Sequence, residues 1–121
     1  MHPAPTATKP IDAVVSARSA MRLRSFRQDV ERAFPDRLSD VLLFGSRARG
    51  EVRRGSDYDV AVVFSDGGRD PDIPRKLSDI AYRFVRMRMP IRPVALLSEQ
   101  VSATSPLPVA RNVARDGIPI A

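Results

Sequence analysis

Asp57 and Asp59 stand one residue apart in Ser56-Asp57-Tyr58-Asp59, at the head of a valine-rich run from Asp57 to Phe64 (DYDVAVVF). Side chains alternate on an extended strand, so both carboxylates project from one face and Tyr58 from the other. Adjacent carboxylates repel, and a divalent cation removes that cost. Hard oxygen donors favour Mg²⁺ or Mn²⁺ over softer metals. A second pattern precedes this one: in Phe44-Gly45-Ser46-Arg47-Ala48-Arg49-Gly50 an apolar strand end breaks into Gly-Ser before a short helical turn. Glycine there lets the backbone approach a ligand closely, and the amides that follow can meet an anion. Ser46 adds a hydroxyl donor, and Arg47 or Arg49 a positive charge. Taken singly, both patterns are ordinary: Gly-Ser at a strand end is most often a turn, and Asp-x-Asp most often an exposed strand start.

The pairing changes their weight. Ten residues, Arg47 to Ser56, separate Ser46 from Asp57. Two antiparallel strands joined by such a loop would bring the turn and the carboxylates to the same end of a sheet. A triphosphate held at Ser46 would then lie beside a cation held by Asp57 and Asp59, the geometry that metal-assisted nucleotidyl transfer needs.

The elements that must position these groups are legible from periodicity. Ile11 to Phe34 reads as one amphipathic helix, with Ile11, Val14, Val15, Met21, Phe26, Val30 and Phe34 as its apolar stripe and Pro35-Asp36 as its stop. Asp40 to Phe44 reads as a buried strand, Glu51 to Gly55 as a polar loop, Asp57 to Phe64 as a second strand, and Ser65 to Asp72 as a turn-rich loop. Ile73 to Met87 reads as a second helix, with Ile73, Leu77, Ile80, Ala81 and Phe84 on one face. Pro90 to Leu97 fits a third strand, whose prolines suit an edge or a strand start. Short helices are expected at Ser98 to Ala103 and at Val109 to Arg115, the latter ended by Gly117, with Ile118 to Ile120 extended. This order implies an α/β (α+β) domain with a small mixed sheet flanked by helices.

Composition narrows the chemistry. In 121 residues, 43% hydrophobic and 28% charged, one domain over 11–121 is expected, behind a proline-rich flexible arm at 1–10. The chain has no cysteine and a single histidine, His2 in the arm, which excludes thiol, Cys-zinc and Ser–His–Asp chemistry. No apolar run reaches the ~18 residues of a membrane span. The arm lacks the apolar core of a secretory signal, so a cytoplasmic protein is expected. The net charge is +6, carried by 18 Arg and 2 Lys. That skew suits phosphate recognition and equally suits a GC-rich coding sequence. Acidic residues concentrate at 45–72 and basic ones flank them. Aromatics are 6% of the chain and do not interleave with basic residues, which argues against direct nucleic-acid binding.

Gly45, Ser46, ten residues, then Asp57-x-Asp59 resembles the minimal nucleotidyltransferase branch of the DNA polymerase beta superfamily. The surrounding GSRARGEVRRGSDYDVAVVF and the later PVALLS (Pro93 to Ser98) and PVARNVARDGIPI (Pro108 to Ile120) extend the resemblance over about residues 38–121. It implies the nucleotidyltransferase fold and metal-dependent transfer of a nucleoside monophosphate from an NTP, with ATP the first candidate, to a hydroxyl. By position Asp57 and Asp59 would bind Mg²⁺ or Mn²⁺, Gly45 and Ser46 would grip the triphosphate, and Arg49 would assist. The resemblance also implies a partner. Stand-alone domains of this kind are often antitoxins of helical HEPN-type ribonuclease toxins, and some act by transferring AMP to a toxin tyrosine. A chain of this length leaves little for an acceptor-binding domain, which fits a protein acceptor better than an aminoglycoside-type substrate; a homo-oligomer is compatible with it. Active relatives generally carry a third carboxylate on a later strand. Here Ile91 to Leu97 has none, Glu99 lies just beyond, and Asp66, Asp70 and Asp72 fall in another loop. Either that role is filled otherwise, or the chain neutralises its partner by contact alone.

Overall fold

The computed structural model describes residues 9–51, 56–65 and 70–121. The arm expected at 1–10 therefore lies outside the described residues except for Lys9 and Pro10. So do most of the 51–55 loop and half of the 65–72 loop.

The first helix is interrupted where one continuous helix was expected. A single 3-10 turn covers Ile11–Ala13, and α1 runs from Ala17 to Ala33. The break falls at Val14-Val15-Ser16, where two β-branched residues precede a strong capping residue. The Ser16 hydroxyl caps α1 by accepting the Ser19 amide at 3.1 Å. Its buried stripe is Ala20, Leu23, Phe26 and Val30. Met21, assigned to the stripe by its hydrophobicity, is on the opposite side of the helix and 67% exposed.

Four strands form one mixed sheet in the order β3-β2-β1-β4. β1 (Leu38–Phe44) and β2 (Tyr58–Phe64) are antiparallel. α2 (Ile73–Arg86) carries the chain over to β3 (Ile91–Leu97), which lies parallel to β2 on the sheet edge, where its prolines are tolerated. The expected helix at Ser98 to Ala103 is a single 3-10 turn, Ser98–Gln100. α3 (Pro108–Asp116) leads into β4 (Ile118–Pro119), antiparallel to β1. This is the expected α+β arrangement.

The two faces of β2 divide the core. Tyr58, Val60, Val62 and Phe64 pack with α1 and α2 in the larger cluster, and Phe26 meets Phe84 edge-on at 5.7 Å between those helices. Ala61 and Val63 pack on the other side with Phe44, Leu96, Ala110 and Val113, beneath α3. By alternation Asp57 and Asp59 belong to this second, α3-bearing face. Phe84 is fully buried, so Phe84→Ala is expected to cost about 3–5 kcal/mol, read as a shift in the urea midpoint. A cost under about 1 kcal/mol would show that the α1–α2 contact is dispensable. Among the described residues no helix is long and apolar enough to cross a membrane.

Candidate active site

Antiparallel pairing sets Phe44 opposite Asp59, so the turn after β1 and the acidic start of β2 meet at one end of the sheet. The Gly45 carbonyl accepts the amides of Ala48 (3.1 Å) and Arg49 (3.2 Å), and the Ser46 carbonyl accepts that of Glu51 (2.9 Å). These bonds wind the segment into a compact turn. Among the described residues the amides of Ser46 and Arg47 have no acceptor, which leaves two donors for an anion.

Gly45 has φ +74°, a conformation that costs other residues about 1–2 kcal/mol. A side chain is also excluded by contact: a Cβ there would sit 2.5 Å from Asp59 Oδ2. The Asp59 carboxylate thus lies against the backbone of the turn, and the two sequence patterns form one physical unit.

Ser46, Ser56, Asp57, Asp59 and Arg92 line an open cleft of ≈ 290 Å³. Arg92 comes from β3, where the parallel register sets it beside Asp59. Its Nη2 donates to Asp57 Oδ2 at 2.9 Å, and its Nε lies 3.9 Å from Asp59 Oδ1. Burial pushes the Asp59 carboxyl above its usual range; Arg92 opposes this and the Asp57 charge adds to it. The guanidinium moderates a repulsion that it does not abolish.

The two arginines of the turn serve elsewhere. Arg47 lies over the Tyr58 ring at 4.4 Å and donates to the Ser56 carbonyl at 3.1 Å, bracing the start of β2. Tyr58 in turn shares a hydrogen bond with Ser19 of α1 at 3.0 Å. Arg49 is bound by Glu51 (Nε at 3.0 Å) and by Asp116 at the end of α3 (Nη1 at 2.9 Å). It ties the turn to α3, while its field still reaches Asp59.

Hydrogen bonds from Arg115, then Arg49, hold the Asp116 carboxyl below its usual range. A depressed carboxylate stabilises the fold above its unfolded pKa, and that contribution is lost as pH falls through the folded value. Asp116→Asn is therefore expected to lower the thermal midpoint by a few degrees at neutral pH, with the gap to the parent closing as the pH falls through and below the ordinary carboxylate range. A gap that persists in acid would assign the effect to packing.

The model of the nucleotidyltransferase domain family matches residues 23–98, more than half of the chain. The chain belongs to the nucleotidyltransferase domain family. The matched span of this nucleotidyltransferase domain runs from within α1 to the end of β3 and includes every residue of the cleft. Among solved structures it is similar to a candidate nucleotidyltransferase from Sulfolobus solfataricus, at 20% identity and TM-score 0.60, over 95% of this chain and 89% of that one. It is also similar to a chain of a toxin–antitoxin complex with AMP-PNP, at 18% identity and TM-score 0.52, over 81% of this chain and 72% of that one. At these identities the likeness is one of fold. No curated protein matches the sequence.

The donor set of the nucleotidyltransferase domain can be tested against a divalent cation. Among the described residues no three His, Cys, Asp or Glu side chains converge, so a closed metal cage is not built. Two carboxylates do suit Mg²⁺ or Mn²⁺ whose remaining positions are filled by substrate phosphates and water. The residues fit a cation that arrives with a nucleotide. Sequence reasoning passed over Arg92. The signal available was its place on β3, where period two puts Arg92 on the same face as Val94 and Leu96.

Proposed function

We propose that this domain transfers a nucleoside monophosphate, with ATP the first candidate donor, to a hydroxyl on a partner protein. The observation that carries this reading is the convergence of Ser46, Ser56, Asp57, Asp59 and Arg92 in one cleft against the Gly45 turn. In this reading Asp57 and Asp59 hold Mg²⁺ or Mn²⁺, which when bound would offset the charge of the α-phosphate and its neighbours. The Ser46 hydroxyl and the free amides of Ser46 and Arg47 receive the triphosphate, and Gly45 lets it approach the backbone. Arg92 supplies a fork for phosphate oxygens. Arg49 acts from behind, keeping the turn fixed to α3. The acceptor oxygen bonds to the α-phosphorus as the bond to the bridging oxygen breaks. Pyrophosphate leaves, and the acceptor proton passes to water.

Asp57 and Arg92 also line an adjoining groove of ≈ 470 Å³ with Tyr82, Val85, Pro90 and Pro93. Tyr82 and Val85 are 63% and 50% exposed. A groove lined largely by apolar side chains and reaching Asp57 gives a protein segment a path by which to present its hydroxyl. The motif resemblance to antitoxins of HEPN-type toxins makes such a toxin the first partner to try. The test is incubation with Mg²⁺ and α-labelled ATP beside that partner. Labelled partner is the expected result; none, over a range of nucleotides and both metals, would remove the reading.

A second reading has its own observation. The guanidinium of Arg92 already bridges Asp57 and Asp59, and no third carboxylate joins them among the described residues. A module that neutralises its partner by contact alone would look the same. It predicts that Asp57→Asn leaves binding and neutralisation intact.

A further inference from the structure

We infer that Arg92 is a built-in counter-ion of the Asp57–Asp59 pair, which a bare divalent cation must displace and which a triphosphate draws away. The inference rests on reading the two aspartates as cation ligands.

Three observations carry it. The parallel register between β2 and β3 delivers Arg92 to the same position along the sheet as Asp59 and on the same face. Its guanidinium contacts both carboxylates, at 2.9 Å to Asp57 and 3.9 Å to Asp59, and among the described residues it has no other partner. The side chain is 67% exposed, so no packing fixes it in place. An arginine fork can pair with a carboxylate or with a phosphate. In the free protein the carboxylates are its partners. A triphosphate arriving at Ser46 in the same cleft offers it stronger acceptors, and its departure leaves Asp57 and Asp59 to a cation. Metal and nucleotide are thereby coupled through one side chain: metal alone binds weakly, and metal with nucleotide binds well.

This arrangement has an unusual signature. Neutralising Arg92 strengthens binding of the metal and weakens binding of the metal-free nucleotide, two effects of opposite sign. A purely structural role would move both the same way or neither. The experiment titrates Mn²⁺, without nucleotide, into the parent chain, Arg92→Gln and Arg92→Lys, followed by electron paramagnetic resonance. ATP in excess EDTA is titrated into the same proteins by calorimetry. Removing a full charge about 4 Å from the ligands is expected to tighten Mn²⁺ binding roughly tenfold in Arg92→Gln. Metal-free ATP should bind it several-fold more weakly, and Arg92→Lys should stay near the parent in both. Arg92→Met, which keeps the aliphatic stem, repeats the comparison with a second neutral side chain. Mn²⁺ affinity that is unchanged or lower in the folded neutral variants overturns the inference, as does an equal gain in Arg92→Lys. Asp57→Asn and Asp59→Asn separate the two levels of the argument. If they abolish Mn²⁺ binding while Arg92→Gln leaves it unchanged, the counter-ion role alone fails. If they leave it unchanged, or no protein binds Mn²⁺, the cation-site reading fails as well.

Discussion

Asp59→Asn is expected to reduce nucleotidyl transfer by about 10²–10⁴-fold while leaving the thermal midpoint unchanged or slightly raised. The two halves have different causes. Asparagine fills the space against Gly45 that the carboxylate fills, so the contact behind the 2.5 Å exclusion survives. Burial holds the Asp59 carboxyl above its usual range, so ionising it is harder in the folded chain than in the unfolded one. Keeping the group ionised at neutral pH therefore costs stability, and a neutral isostere removes that cost. Transfer, by contrast, depends on the charge. One of two anionic ligands to the cation is lost, and with it several kcal/mol of charge stabilisation in the transition state. Label transfer and thermal unfolding on the same preparation decide the matter. A variant that unfolds early would make Asp59 a structural residue, and one that transfers label at the parent rate would sink the catalytic assignment.

Gly45→Ala carries the second large effect, and its cause is steric. The φ of +74° at this position strains any residue with a Cβ. The added carbon would also press on Asp59 Oδ2, and the short aspartate side chain has little freedom to yield. Together these are expected to cost about 1–3 kcal/mol of stability and to displace the carboxylate, abolishing Mn²⁺-dependent nucleotide binding. Gly50→Ala is the internal control. Its φ is similar, +76°, but a Cβ there meets nothing within 4 Å. It should incur only the backbone strain and leave nucleotide binding intact. Equal loss of binding in both variants would place the effect in the general geometry of the turn and not in the Gly45–Asp59 contact.

Much of this protein was legible in its residues because the signals concerned are local. Alternation placed Asp57 and Asp59 on one face and Tyr58 on the other, and β2 does run from Tyr58 to Phe64. Glycine before serine marked the turn, and its φ at Gly45 is one that only glycine adopts freely. Helical spacing found α2 within a residue of its end. It failed at the first helix, where Ser16 begins a new segment by accepting the Ser19 amide. A capping bond of this kind competes with continued helix, and hydrophobic spacing does not register it.

Residue type and spacing alone specify the strand–turn–strand unit, the ten-residue spacing and the shared face of the two carboxylates. All of these follow from dihedral preference and period two over a few residues. Which arginine stands beside the pair depends on the assembled fold. Arg49, three residues beyond Ser46, is taken up by Glu51 and by Asp116 across the fold. Arg92, thirty-three residues beyond Asp59, is brought beside it by the packing of α2 and the register of β3. Along these strands apolar side chains pack on both faces of the sheet: Val60 and Val62 on one, Ala61, Val63 and Leu96 on the other. A contact made by folding the chain back through a helix has no local signature, so the residue beside the carboxylates emerged only once the sheet was assembled.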